Sequence, residues 1–326
     1  MKIKKIVLHI GPHKTGSSYI QQMLFENAQK LEANGIYYPT KEWASECGHH
    51  LAAEPSEMLR FCEYINNFES INEKFNSIII SSENFDRLSS AEIALFLANI
   101  KIPIHLIYMY RNPFSVLYSH WQEEIKFGSD LPFGTFLVPH LISPSTSTIV
   151  NPSLILNKWI SLINKKSLTI IDYDLMLRSN KNICNEFLVA AYGTDFNFEF
   201  EVAEINKSLQ LEDAEVLRFL NSIDSSKNNY PSTDIRIPFL KMRENYPYMD
   251  EIKKSILKNI LIINISSDPL FEILTSKFFL EYSSCFNLIG SEMGNVTDRF
   301  ISLPNSRWTI GLEDKLNELH GLCRNP

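Results

Sequence analysis

At 326 residues, the chain is long enough for one large α/β domain or for a core with a smaller extension. Its 44% hydrophobic and 21% charged content fits an ordinary globular protein. With 31 basic against 38 acidic residues, the net charge of −7 argues against general affinity for nucleic acid or anionic membranes. Any bound polyanion therefore needs a local basic cluster.

Cys47, Cys62, Cys184, Cys285 and Cys323 are scattered and form no C-x-x-C pair, so neither a disulfide framework nor a zinc site is expected. Reduced thiols suit a cytoplasmic protein. The apolar run in MKIKKIVLHIG is interrupted by His and Gly, and ILKNILIINI is broken by Lys and Asn. Both are too short for a signal peptide or a membrane span, which gives the expectation of a soluble protein with no transmembrane segment.

In chain order, residues 4–10 read as a buried strand, and Ser17 to roughly Ala33 carry the apolar spacing of a helix that Gly35 stops. A helix is expected over roughly 51–67. SIIISSENF (77–85) is a β-branched run that ends in polar residues, as a central parallel strand does at its carboxyl end. A helix at 89–99 and a strand at 102–110 follow. Asn112-Pro113 then reads as an N-cap with Pro in the first helical position, ahead of an apolar stripe of Phe114, Leu117, Tyr118, Trp121 and Ile125.

Residues 128–153 are rich in Pro, Ser and Thr and read as a loop or lid insert. A helix near 153–164, a strand at 168–171 and a helix near 182–192 restore the rhythm. Helices are expected near 211–222, 251–260 and 268–281. This alternation predicts an α/β fold with a central parallel sheet flanked by helices. The expected division is a core over 1–200 and a mostly helical extension over 201–326 packed on it.

The stretch GPHKTGSSY (11–19) lies where the first strand gives way to a helix, a position at which ligands bind in open parallel sheets. Gly11 and Gly16 permit a tight turn whose N–H groups can converge on an anion. Lys14 adds a full charge, and Thr15, Ser17 and Ser18 add hydroxyl donors. The ATP loop G-x-x-x-x-G-K-[ST] places Lys after the second Gly, whereas Lys14 precedes it, so a P-loop kinase is a poor fit. An ordinary strand–turn–helix corner also carries polar residues, but rarely one Lys, two glycines and three hydroxyls together.

GPHKTGSSY resembles the 5′-phosphosulfate loop of sulfotransferases that use 3′-phosphoadenosine 5′-phosphosulfate (PAPS), the bacterial members above all. The resemblance implies a P-loop NTPase-like three-layer fold with Lys14, Thr15, Gly16, Ser17 and Ser18 around the 5′-phosphosulfate, His13 as a further donor and Tyr19 near the adenine. YMYRNPFSVLYSHW (108–121) resembles the family's 3′-phosphate motif, with Arg111 and, eight residues on, Ser119 as its contacts. Taken alone, Arg-Asn-Pro would equally suit an Arg–carboxylate pair. LTIIDYDLM (168–176) and EINKSLQ (204–210) carry a looser likeness, with Asn206 and Ser208 as possible contacts. The likeness ends in the C-terminal third, which has no Arg-Lys-Gly-type motif.

The resemblance implies transfer of a sulfuryl group from PAPS to a hydroxyl or amine of a carbohydrate, lipid-linked or small-molecule acceptor, with release of PAP. Lys14 would stabilise the leaving oxygen without a metal. Glu83, at the end of the strand in IIISSENF, is the candidate general base; pairing with Arg87 is the structural alternative. His50, or its neighbour His49, is the competing base, since a nearly neutral imidazole suits that task. His9 and His105 fall inside strands as expected core residues, and Trp43 and residues 129–150 are candidate acceptor-pocket material. A non-catalytic PAP-binding or interaction protein of the same fold is the alternative.

Overall fold

The run KIVLH forms the central strand β1 (Lys5–His9) because it is apolar and β-branched enough to be buried on both faces. The fold is a computed structural model that describes residues 5–41, 43–71, 74–193, 198, 200, 209–228, 235–264, 269–286 and 300–324. Four further strands join β1 in one all-parallel sheet: β2 (Ile36–Tyr37), β3 (Ser77–Ser81), β4 (Ile104–Tyr110) and β5 (Leu168–Asp172), in the order β2-β3-β1-β4-β5.

Side chains alternate across the sheet with period two. Ile6, Leu8, Ile78, Ile80, Leu106, Tyr108 and Ile170 face one side, packed under α3 (Met58–Ile71), α4 (Ser90–Asn99), α7 (Ser153–Ile160) and the 276–282 part of α13 (Pro269–Tyr282). Val7, Ile79, Ile107, Met109 and Ile171 face the other, against α1 (Ser17–Glu26), α2 (Ala28–Ala33), α8 (Tyr173–Arg178) and α9 (Ile183–Tyr192). Helices thus cover both faces, as a parallel sheet requires.

Register sets the site. His9 pairs with Ser81 of β3 and with Ile107 of β4. The loop after β1, the polar end of β3 and the last turn of β4 therefore emerge on one edge of the sheet.

The chain divides into two units. The first comprises Met1–Asn112, Asn151–Ile205 and Ser276–Met293, and the second comprises Pro113–Val150, Asn206–Thr275 and Gly294–Pro326. The second unit contains α5 (Pro113–Lys126), α6 (Phe133–Ile142), α10 (Leu211–Asn228), α11 (Arg236–Met242), α12 (Met249–Lys258) and α14 (Glu313–Arg324). Strands β6 (Ile260–Asn264) and β7 (Phe300–Pro304) pair antiparallel. Its core joins Leu117, Trp121 and Ile125 of α5 to Leu217 and Leu220 of α10 and to Trp308.

Three expectations differ from this structure. The helix predicted over 17–33 is interrupted at Asn27, whose backbone N–H and side-chain amide both donate to the Met23 carbonyl. Residues 128–153, expected as a loop or lid, contain α6, and up to Val150 they belong to the second unit, as does α5. The packing divides after Ile205, close to the expected boundary, but also after Asn112 and Val150, and residues 276–286 return to the first unit, where Phe278 stacks on Tyr110.

Trp159 of α7 is fully buried, with ring centroids 6.0 Å from Phe85 and 6.4 Å from Phe96. Phe85 lies in the 3-10 turn after β3, so this cluster anchors the turn that begins at Glu83. Trp159→Ala is expected to destabilise the protein by about 3–5 kcal/mol in urea denaturation. A loss below about 1 kcal/mol would mean that the cluster does not hold the turn.

Candidate functional site

The loop between β1 and α1 turns through three left-handed residues: Gly11 at φ +84°, Lys14 at +65° and Gly16 at +83°. Glycine is needed at the outer two. A Cβ on Gly11 would lie 3.0 Å from Glu83 Cα, and one on Gly16 would lie 2.6 Å from Ile183 Cδ1 and 3.2 Å from Tyr173 Cε2. Gly16 is also the N-cap of α1, and no side chain caps that helix.

Thr15 is buried, and its hydroxyl donates to the Pro12 carbonyl at 2.6 Å; the Ser17 hydroxyl donates to the same oxygen at 3.3 Å. Both protons thus shape the loop itself, whereas the sequence suggested donors directed at an anion. Ser18 is exposed and Lys14 is half-buried.

Arg111 follows β4 directly, and its Nη1 donates to the Lys14 carbonyl at 2.6 Å. The guanidinium lies 5.1 Å from the centroid of the Tyr173 ring, close enough for a cation–π contact. Its Nε is buried without a hydrogen-bond partner among the described residues. The Asn112 backbone N–H donates to Asp174 Oδ2 at 2.7 Å. The Tyr-Asp pair at the start of α8 therefore supports the loop and the end of β4.

Glu83 opens the 3-10 turn Glu83–Arg87, which Ser82 caps by accepting from the Asn84 N–H. Its Oε2 accepts from Gln21 Nε2 at 2.7 Å. Burial pushes the Glu83 carboxyl up, but the Gln21 amide, its own backbone N–H and the nearby His50 imidazole outweigh this and hold it below the usual range. The carboxylate is accordingly ionised and can accept a proton.

The histidines divide sharply. His13 Nδ1 lies 2.9 Å from Asp86 Oδ2, and its Nε2 lies 3.1 Å from Arg87 Nη2. An arginine can only donate, so Nε2 accepts and Nδ1–H donates to Asp86. Both ring nitrogens thus have partners within the protein, where the sequence suggested a donor to an anion. Arg87 accordingly reaches His13, where the sequence had suggested Glu83 as its partner.

His49 is buried, accepts from the Ser81 N–H through Nδ1 at 3.0 Å and donates from Nε2 to the Pro39 carbonyl at 2.7 Å. Burial lowers its pKa to about 4, so it is a neutral staple with no nitrogen left for catalysis. His50 is half-buried and pairs through Nδ1 with Ser82 Oγ at 3.0 Å, beside Glu83. His9, also at about 4 because of burial, meets Ser81 Oγ through Nδ1 at 2.8 Å.

Other candidates are scattered. Tyr19 is half-buried against the α9 side of the sheet, and Ser119 lies half-buried on α5. His105 bonds Thr169 across the β4–β5 pair at 3.0 Å. Trp43 is buried edge-on to Phe61, at a centroid distance of 4.9 Å, which makes it core rather than acceptor-pocket material. Asn206 and Ser208 lie outside the described residues. Among the described residues no helix is long and apolar enough to cross a membrane, and no cluster of His, Cys, Asp or Glu has a metal-binding arrangement.

Sequence reading missed Gln21, Tyr173, Asp86 and Arg87 as parts of this site. Only Tyr173 and Asp174 carried a signal, in the looser likeness of LTIIDYDLM, where they follow β5 directly. Compared with known proteins, the chain matches no protein-family model and no curated protein.

The two buried imidazoles make stability depend on pH. Their folded pKa of about 4 lies below the ordinary 6.5, so the unfolded chain binds more protons in this interval. The stability they contribute is complete above about pH 6.5 and is lost as pH falls towards 4, by up to about 3 kcal/mol each. Asp172 and Glu215, raised by burial, act in the opposite sense. His49→Gln is expected to flatten the fall in Tm between pH 7 and pH 5. An unchanged slope would contradict the neutral, buried assignment.

Proposed function

We propose that this protein is a PAPS-dependent sulfotransferase. The observation that supports the proposal is that the two separate motifs meet: the Arg111 guanidinium donates to the backbone carbonyl of Lys14. A loop with an uncapped helix N-terminus, a lysine and an arginine on one sheet edge suits a ligand with more than one anionic group. Arg111 Nε, buried and unpartnered, is a donor with unused capacity in that place.

PAPS would supply an activated sulfuryl group on a good leaving phosphate. Lys14 and the N–H groups of the loop would neutralise the charge that grows as the bond to that phosphate breaks. Glu83, ionised and fixed by Gln21, would take the proton from the acceptor hydroxyl or amine as the new bond forms. His50, beside Glu83, is the second group able to move a proton there; His49, tied at both nitrogens, is not. Arg111 would hold the 3′-phosphate, with Ser119 added by the resemblance alone.

Calorimetry is expected to show binding of PAP without metal and in preference to Mg-ATP. Lys14→Ala and Arg111→Lys are each expected to weaken PAP about 10- to 100-fold, the loss of one charged hydrogen bond. Glu83→Gln should retain PAP affinity and lose transfer, read as transfer of labelled sulfuryl from PAPS to phenol. Tight Mg-ATP binding with none for PAP would reject the proposal.

A further inference from the structure

The 3-10 turn that carries Glu83 is clasped to the anion loop at several points. Gly11 presses against the Glu83 backbone so closely that a Cβ there would be 3.0 Å from its Cα. His13 of the loop bonds Asp86, and Arg87 of the same turn returns a bond to His13. Gln21, in the second turn of α1, reaches the Glu83 carboxylate itself.

Gln21 is the unusual member. It is a buried amide, 1% exposed, on a helix whose neighbouring positions Ile20, Met23 and Leu24 are core. An unpaired buried amide costs roughly 1–3 kcal/mol, so its burial makes physical sense only with the carboxylate as partner. A Cβ on Gly48 would stand 2.8 Å from Gln21 Cδ and 2.9 Å from His50 Nε2, so the glycine leaves room for both side chains.

Resting on the reading of Glu83 as the proton acceptor, we propose that Gln21 is a positioning residue for the transfer reaction. Its amide holds Oε2 of the carboxylate, directs Oε1 to the acceptor proton and fixes the distance between that proton acceptor and the anion loop from which α1 emerges. Glu83 is faced by ionisable groups from every element around it: His9 of β1, His13 of the loop, Tyr38 after β2, and His50. Gln21 is an uncharged donor beside them, bonded to the carboxylate at 2.7 Å.

The test is carboxyl and side-chain amide NMR on the full chain. In the wild type, the Gln21 amide protons are expected to titrate with the same midpoint as the Glu83 carboxyl. In Gln21→Met, which retains volume without the donor, the Glu83 midpoint is expected to move up, while Gln22→Met, whose native amide bonds Glu26, leaves it in place. Sulfuryl transfer from PAPS to phenol in Gln21→Met is expected to fall about 10- to 100-fold with PAP affinity unchanged.

A Gln21 amide that does not follow Glu83, or a Glu83 midpoint unmoved in Gln21→Met, would overturn the assignment. A coupled amide and carboxyl in a protein that binds no PAP would instead reject the sulfotransferase reading alone. The wild-type titration decides the coupling even if the variant does not fold.

Discussion

The hydrogen bond from Arg111 to the Lys14 carbonyl is the constraint on which the site depends. Lys14 has a left-handed backbone without the freedom of glycine, which costs about 1–2 kcal/mol. A charge-assisted bond contributes about 1.5–3 kcal/mol when partly shielded from water, enough to offset that strain. The loop is thus held in a turn it would not adopt unaided. The same guanidinium rests on Tyr173, whose ring also packs where Gly16 lacks a Cβ. One arginine therefore connects β4, the start of α8 and the loop after β1.

Around that constraint, the sheet register does the rest. Because β3 and β4 flank β1, their carboxyl ends deliver Glu83 and Arg111 to opposite sides of the same loop. Glu83 is then fixed from α1 through Gln21, and His13 is drawn away from the loop interior towards Asp86. The groups proposed to bind the anions and to accept the proton are separate in sequence but share one backbone framework. A displacement-type transfer needs that arrangement, because its rate depends on the distance and angle between attacking and leaving groups.

Much of the first unit was legible because its strands are unbroken apolar runs and its helices have clear periodicity. KIVLH, SIIIS and LTIID are strands in the structure, and the capping box Ser89–Glu92 opens α4 where the helix was expected. Helix α6 was hidden by Pro132, Gly134 and Pro139, residues that read as breakers; Pro132 caps it and Pro139 is carried inside it. β6 and β7 pair Ile260 with Pro304 across a long separation, which no local pattern announces. In the site, Lys14, Gly16, Arg111 and Glu83 stood out by position, whereas Gln21 looks like any polar helix residue until its partner is known. The hydroxyls of Thr15 and Ser17 and the ring of His13 were read by type as anion donors, but their protons go to Pro12 and Asp86.

The most direct measurement is a crystal structure of the protein with PAP. One adenosine ligand is predicted to span the site, with its 5′-phosphate among the N–H groups of residues 14–18 and its 3′-phosphate on the Arg111 guanidinium. A ligand bound elsewhere, or a 3′-phosphate that makes no contact with Arg111, would contradict the shared role of the two motifs.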